Sequence, residues 1–137
     1  MAVITITAAN VALGGDGCRI AIVQAGELIT PGEPVFKLAA DGKYYAAVNT
    51  TVAEAAVIGI AITDAAAGGD YFIICKEGPI ICGGTVAAGS AYSVGDTDGA
   101  IFDSGDAASP DFVTFLGYGI STTVLQVSIN ATGIAAA

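Results

Sequence analysis

The sequence predicts an all-β protein, a β-sandwich or barrel of short antiparallel strands built from two similar halves, with an N-terminal arm. Three observations carry this. Apolar residues alternate with a period of two, the pattern of a half-buried strand. The alternating runs recur about every ten residues, the spacing of a sandwich or barrel. The 19 glycines divide the alanines into pairs and triplets, so no alanine-rich helix has room to form.

The elements follow in order. Val3–Thr7 opens with Ile4 and Ile6 on one face. Further strands are expected at Cys18–Val23, Val35–Leu38, Tyr44–Val48, Ile58–Ile62, Tyr71–Lys76 and Ile80–Cys82. The last group is Ala91–Val94, Ala100–Phe102, Val113–Gly117 and Thr123–Ile129. All are short and rich in β-branched or aromatic residues, which suit a pleated surface. Helix is expected only as single turns. Thr51-Val-Ala-Glu54 reads as a capping box that Gly59 cuts short. Asp64 followed by Ala65–Ala67 and Gly68 has a cap at each end.

Composition excludes several functions. Four basic residues, Arg19, Lys37, Lys43 and Lys76, face thirteen acidic ones, for a net charge of −9. No basic stripe is available to displace counterions from phosphates, so nucleic acid is not an expected partner. An anionic membrane surface would also repel the chain. Histidine is absent, which removes the usual general base and the commonest metal ligand. No catalytic, cofactor-binding or metal-binding residue is expected, and the chain reads as a non-enzyme. Met1–Thr7 has neither the charged nor the apolar region of a signal peptide, which predicts cytoplasmic synthesis. No apolar run approaches the length of a membrane span.

Glycine spacing reveals an internal repeat. Gly26, Gly32 and Gly42 are separated by five and nine residues, and so are Gly83, Gly89 and Gly99. Asp41-Gly42 and Asp98-Gly99 are hairpin-turn dipeptides at matching places. Each unit continues into a glycine-interrupted strand, Ile58-Gly59-Ile60 and Leu116-Gly117-Tyr118. The expected organisation is an N-terminal strand or arm over residues 1–25, then a β domain over 26–137 whose repeats span 26–78 and 83–133.

This order of motifs resembles the small capsid cement, or head decoration, proteins of tailed bacteriophages. The stretches that carry the resemblance are Val23–Leu38, Ile58–Ala61, Gly69–Ile74 and Val86–Gly99. They are glycine and turn motifs within roughly residues 20–130. The resemblance implies a structural virion protein on the outer capsid surface that binds the major capsid protein and stiffens the shell. It implies no catalytic residues. Decorating local three-fold positions calls for a homotrimer, with a dimer at two-fold positions as the alternative.

Other signals have a bland reading beside the functional one. Lys43, next to the Asp41-Gly42 turn, is placed like the modified lysine of a lipoyl or biotinyl carrier, but its flanks differ and a solvated turn lysine explains it. Asp96, Asp98, Asp103 and Asp106 form an oxygen-rich stretch of the kind calcium favours, yet lack the ligand set of an EF-hand. Cys75 and Cys82 are symmetric about Gly78-Pro79, so a hairpin there would let them face each other. Free thiols remain the expectation for a cytoplasmic product. Gly14-Gly15-Asp16-Gly17 lacks the lysine of a phosphate loop and reads as a turn. The weakly charged Ser, Thr and Ala surface of residues 120–137 is either solvated or covered by a neighbour. A cell-surface adhesion module is a further alternative function.

Overall fold

The computed structural model describes residues 3–106 and 112–135. It is all-β: one curled antiparallel sheet forms a half-barrel, and the described residues include no α-helix. The strands are β1 (Val11–Leu13), β2 (Arg19–Gln24), β3 (Pro34–Lys37), β4 (Tyr44–Ala46), β5 (Val57–Ala61), β6 (Tyr71–Cys82), β7 (Ala91–Val94), β8 (Ile101–Asp103), β9 (Phe112–Gly119) and β10 (Val124–Ala135). Their order is β4-β3-β5-β6-β10-β9-β7-β8, with β1 and β2 also paired to β6. Of the two expected architectures, sandwich or barrel, the single curled sheet is a half-barrel and not two stacked layers.

β6 is the spine. Glu77 pairs with both Arg19 and Ser128, so β2 and β10 lie on its opposite sides. Cys75 pairs with both Ile20 and Ile60, which puts β5 on the same side as β10. One long strand thus joins two arms of the sheet. This corrects the expected hairpin at Gly78-Pro79. Gly78 takes φ +121° and the chain stays extended, because β10 pairs with it on one side and the Gly14–Cys18 loop packs on the other. The Pro79 carbonyl accepts the Gly14 N–H at 2.8 Å. The Gly14–Cys18 loop interrupts the β1–β2 run opposite these two residues.

The two arms are wired alike. β3 pairs with β4 and β5, and β7 pairs with β8 and β9. A bulge falls between Val35↔Gly59 and Phe36↔Val57, and another between Tyr92↔Gly117 and Ser93↔Phe115. Gly32 N–H donates to Ala61 O and Gly89 N–H to Gly119 O, both at 2.8 Å.

Two cores result from the curl. The larger gathers Ile60, Cys75, Ile80, Val94, Leu116 and Leu125, among others. The smaller holds Ala25, Ile29, Val35, Ala65, Phe72 and Ile74. Neighbouring residues Ile74 and Cys75 serve different cores, so β6 is covered on both faces there. Burial of this kind is the main favourable term in folding.

Two local expectations differ from the structure. Val3–Thr7 is not a strand: only Val3 bridges Phe102, and a 3-10 turn follows at Ala8–Asn10. Ile4 and Ile6 still pack inward against the larger core. Asp64–Ala67 is not a helical turn, because buried Ala65 is drawn into an extended bridge with Ile29. Thr51–Ala55 does form one turn, closed by Ala55 N–H to Thr51 O at 3.0 Å and by the Thr51–Glu54 capping contacts. A second 3-10 turn, at Ser104–Asp106, was not expected.

Candidate functional surfaces

Lys43 sits at the foot of the β3–β4 turn, half-buried. Its N–H donates to Asp41 Oδ1 at 2.9 Å, while the Tyr45 hydroxyl donates to Asp41 Oδ2 at 2.6 Å. The Tyr45 bond, with that of the Lys43 N–H, holds the Asp41 carboxyl below its usual range, and the same bond raises the Tyr45 phenol. Asp41 is thus explained by turn chemistry.

Asp96 and Asp98 are exposed in the β7–β8 turn, and Asp103 lies at the end of β8. Asp103 Oδ1 accepts the Gly105 N–H at 2.8 Å, capping the following turn. The side chain of Asp106 lies outside the described residues. Among the described residues, no three acids, cysteines or histidines come together as a metal site.

The structure brings together an acidic group that the linear sequence does not suggest. Glu33, at the start of the β3 arm, lies against Gly99 of the β7–β8 turn: a Cβ on Gly99 would stand 2.7 Å from the Glu33 carboxyl carbon. Glu33 Oε1 accepts the Thr30 N–H at 2.7 Å. Burial, and then the nearby charges of Glu27 and Asp98, raise the Glu33 carboxyl above its usual range. Glu27 is itself engaged, accepting the Ala46 N–H at 2.9 Å. Both carboxylates bind backbone amides of their own arm, and Glu33 also packs against the β7–β8 turn of the other.

The three cysteines are free. Cys75 and Cys82 lie seven residues apart on one extended strand, too far for a disulfide, whose Cα atoms must approach within about 7 Å. Cys18, not Cys82, is the thiol beside Cys75. Burial first, then Cys18, pushes the Cys75 thiol up to about 11. It stays protonated at neutral pH, unlike an activated nucleophile. The Gly14–Gly17 loop stays a turn between strands, with φ +85° at Gly17.

An open cavity of about 590 Å³ is lined by Thr5, Thr7, Asn10, Ile81, Thr85 and Thr123. A second of about 350 Å³ adjoins it at Thr5 and Thr85. Threonine side chains, the Asn10 amide, Ile81 and glycine backbone line the larger one, and no ionisable side chain is among them. A different surface stands out on β2 and β6, where Ile20, Ile22 and Tyr71 are exposed on one face. Ile22 keeps 72% of its surface and Tyr71 68%. Singly exposed apolar residues are ordinary, whereas a contiguous group marks an interaction surface. The alternation in Cys18–Val23 placed Ile20 and Ile22 on one face, but nothing local showed that this face lies outside the cores. No protein-family model matches the chain, no curated protein matches it, and no solved structure matches it; the resemblance to capsid decoration proteins rests on its glycine and turn motifs alone.

Proposed function

We propose that this chain is a non-enzymatic structural protein of a tailed-phage virion, a cement protein that binds the outer face of the capsid through the major capsid protein. The observation that carries the reading is the group of exposed apolar side chains Ile20, Ile22 and Tyr71, on one face of β2 and β6, on an otherwise acidic domain. Such a surface suits a flush contact with another protein shell. The net charge of −9 keeps the free protein soluble and selects a less acidic patch on the partner. The protein acts as a symmetric homo-oligomer, a trimer at local three-fold positions or a dimer at two-fold ones.

The test mixes purified protein with undecorated heads and images them. Added density at local symmetry axes, and heads that resist heating better, are the expected results. Heads that stay bare overturn the reading in favour of an adhesion module. An intact-mass increment on Lys43 would favour the carrier reading instead.

A further inference from the structure

Sheet edges with unpaired N–H and C=O groups invite strand pairing, and proteins usually cover them. This chain covers two of its edges itself. The outer edge of β8 is lapped by the N-terminal segment, through the Val3–Phe102 bridge and the Ile4 N–H to Ile101 O bond at 2.9 Å. The outer edge of β4 is lapped by Ala25 and Gly26, whose N–H reaches Tyr44 O at 2.9 Å. β2 is treated differently. Among the described residues it pairs with β6 alone, so its other edge from Arg19 to Gln24 is open.

That edge has two distinct faces. Ala21 and Val23 pack against the smaller core beside Phe72 and Ile74. Ile20 and Ile22 point the other way, beside Cys75 and Ile73, and remain 49% and 72% exposed. No proline or carboxylate guards the strand, and Arg19 is its one charge.

We propose that β2 pairs antiparallel with β2 of a second copy, about a two-fold axis through Ala21. In this register Ile20 of each copy lies opposite Ile22 of the other, so the strand is complementary to itself. The exposed isoleucines and the adjoining Ile73 and Tyr71 then form one apolar row across both copies. Charge favours the same choice. Two chains of net charge −9 must meet where carboxylates are absent, and β2 has none. Arg19, the chain's only arginine, is carried toward the Gln24 end of the other copy, where Asp70 precedes the Tyr71 paired with Gln24. An isologous contact of this kind closes as a dimer and stops there.

The inference does not rest on the capsid reading, and the experiment separates them. Native mass spectrometry and sedimentation of the whole chain are expected to give a dimer. Ile22→Lys, at a side chain largely in solvent, is expected to halve that mass while leaving the far-ultraviolet spectrum unchanged. Hydrogen exchange of the wild type supplies a readout that needs no variant: outward amides of Arg19–Gln24 slow at high protein concentration and speed up on dilution. A monomeric wild type overturns the proposal, as does any oligomer that Ile22→Lys leaves intact. A trimer that persists in Ile22→Lys and decorates heads would sink this contact and leave the capsid reading standing.

Discussion

Gly117→Ala is the sharpest test of how the two arms are built. Gly117 follows the bulge at which β9 leaves β7 and approaches β10. A Cβ there would point into the Gln126 carbonyl, 2.9 Å from its carbon and 3.2 Å from Ser128 N. The carbonyl oxygen stands nearer still, so the backbone of β10 must retreat by well over an ångström to reach ordinary van der Waals contact. β10 also pairs with β6, so it cannot retreat freely. Overpacking of this kind costs about 1–3 kcal/mol, and a ladder bond lost beside the core adds about 1–3 more, for a total near 4 kcal/mol. For a domain of this size that lowers Tm by roughly 15 °C. Gly69→Ala is the control. Its φ is +96° with nothing within 4 Å of the added carbon, so only backbone strain of about 1–2 kcal/mol is expected. Gly59→Ala should fall between, because its Cβ would stand 2.8 Å from Cys75 O. Thermal unfolding followed by circular dichroism ranks the three. If Gly117→Ala melts within a few degrees of Gly69→Ala, close approach of β10 does not explain this glycine.

Two further predictions concern titratable groups. The Glu33 carboxyl is raised above 4.5 by burial first and by Glu27 and Asp98 after it. Between 4.5 and its higher folded value, the folded state holds more protons than the unfolded one, so this group's contribution to stability falls as pH rises through that window. Glu33→Gln keeps the acceptor for the Thr30 N–H and removes the charge. Urea unfolding should therefore show the variant more stable at neutral pH and matched to wild type in acid; a less stable variant at neutral pH refutes the account. For the thiols, Cys75 and Cys82 are buried and only Cys18 is partly open. A thiol reagent should label one group quickly in the native protein and three after unfolding, and intact mass should show no loss of two hydrogens.

Much of the fold was legible because burial of one sheet face imprints a period of two on the sequence. The glycine spacing was informative for a related reason. Gly32, Gly89, Gly59 and Gly117 sit where backbone meets backbone closely or turns through positive φ, and these positions tolerate little else. The errors share a cause as well. Gly78-Pro79 carries a strong local turn signal, yet β10 on one side and the Gly14–Cys18 loop on the other hold it extended. Ala65 sits in a helical-looking stretch, yet its place in the smaller core requires extended backbone beside Ile29. In each case a partner distant in sequence outweighed the local preference.

The same reasoning explains why the candidate surface could not be read from the sequence. Ile20 and Ile22 look like ordinary core residues of an alternating strand. Their exposure depends on which core β2 serves. Its pairing with Tyr71–Glu77 turns Ala21 and Val23 to the smaller core and leaves the isoleucines on the far side. The openness of the edge depends on two further long-range contacts, since the segments that lap β8 and β4 are residues 3–4 and 25–26. The second lies just past the end of β2, so the chain leaves β2 to cover another edge and leaves its own uncovered. A domain that spends two segments on sealing edges, yet leaves β2 unsealed with no carboxylate along it, has a surface whose natural occupant is another strand.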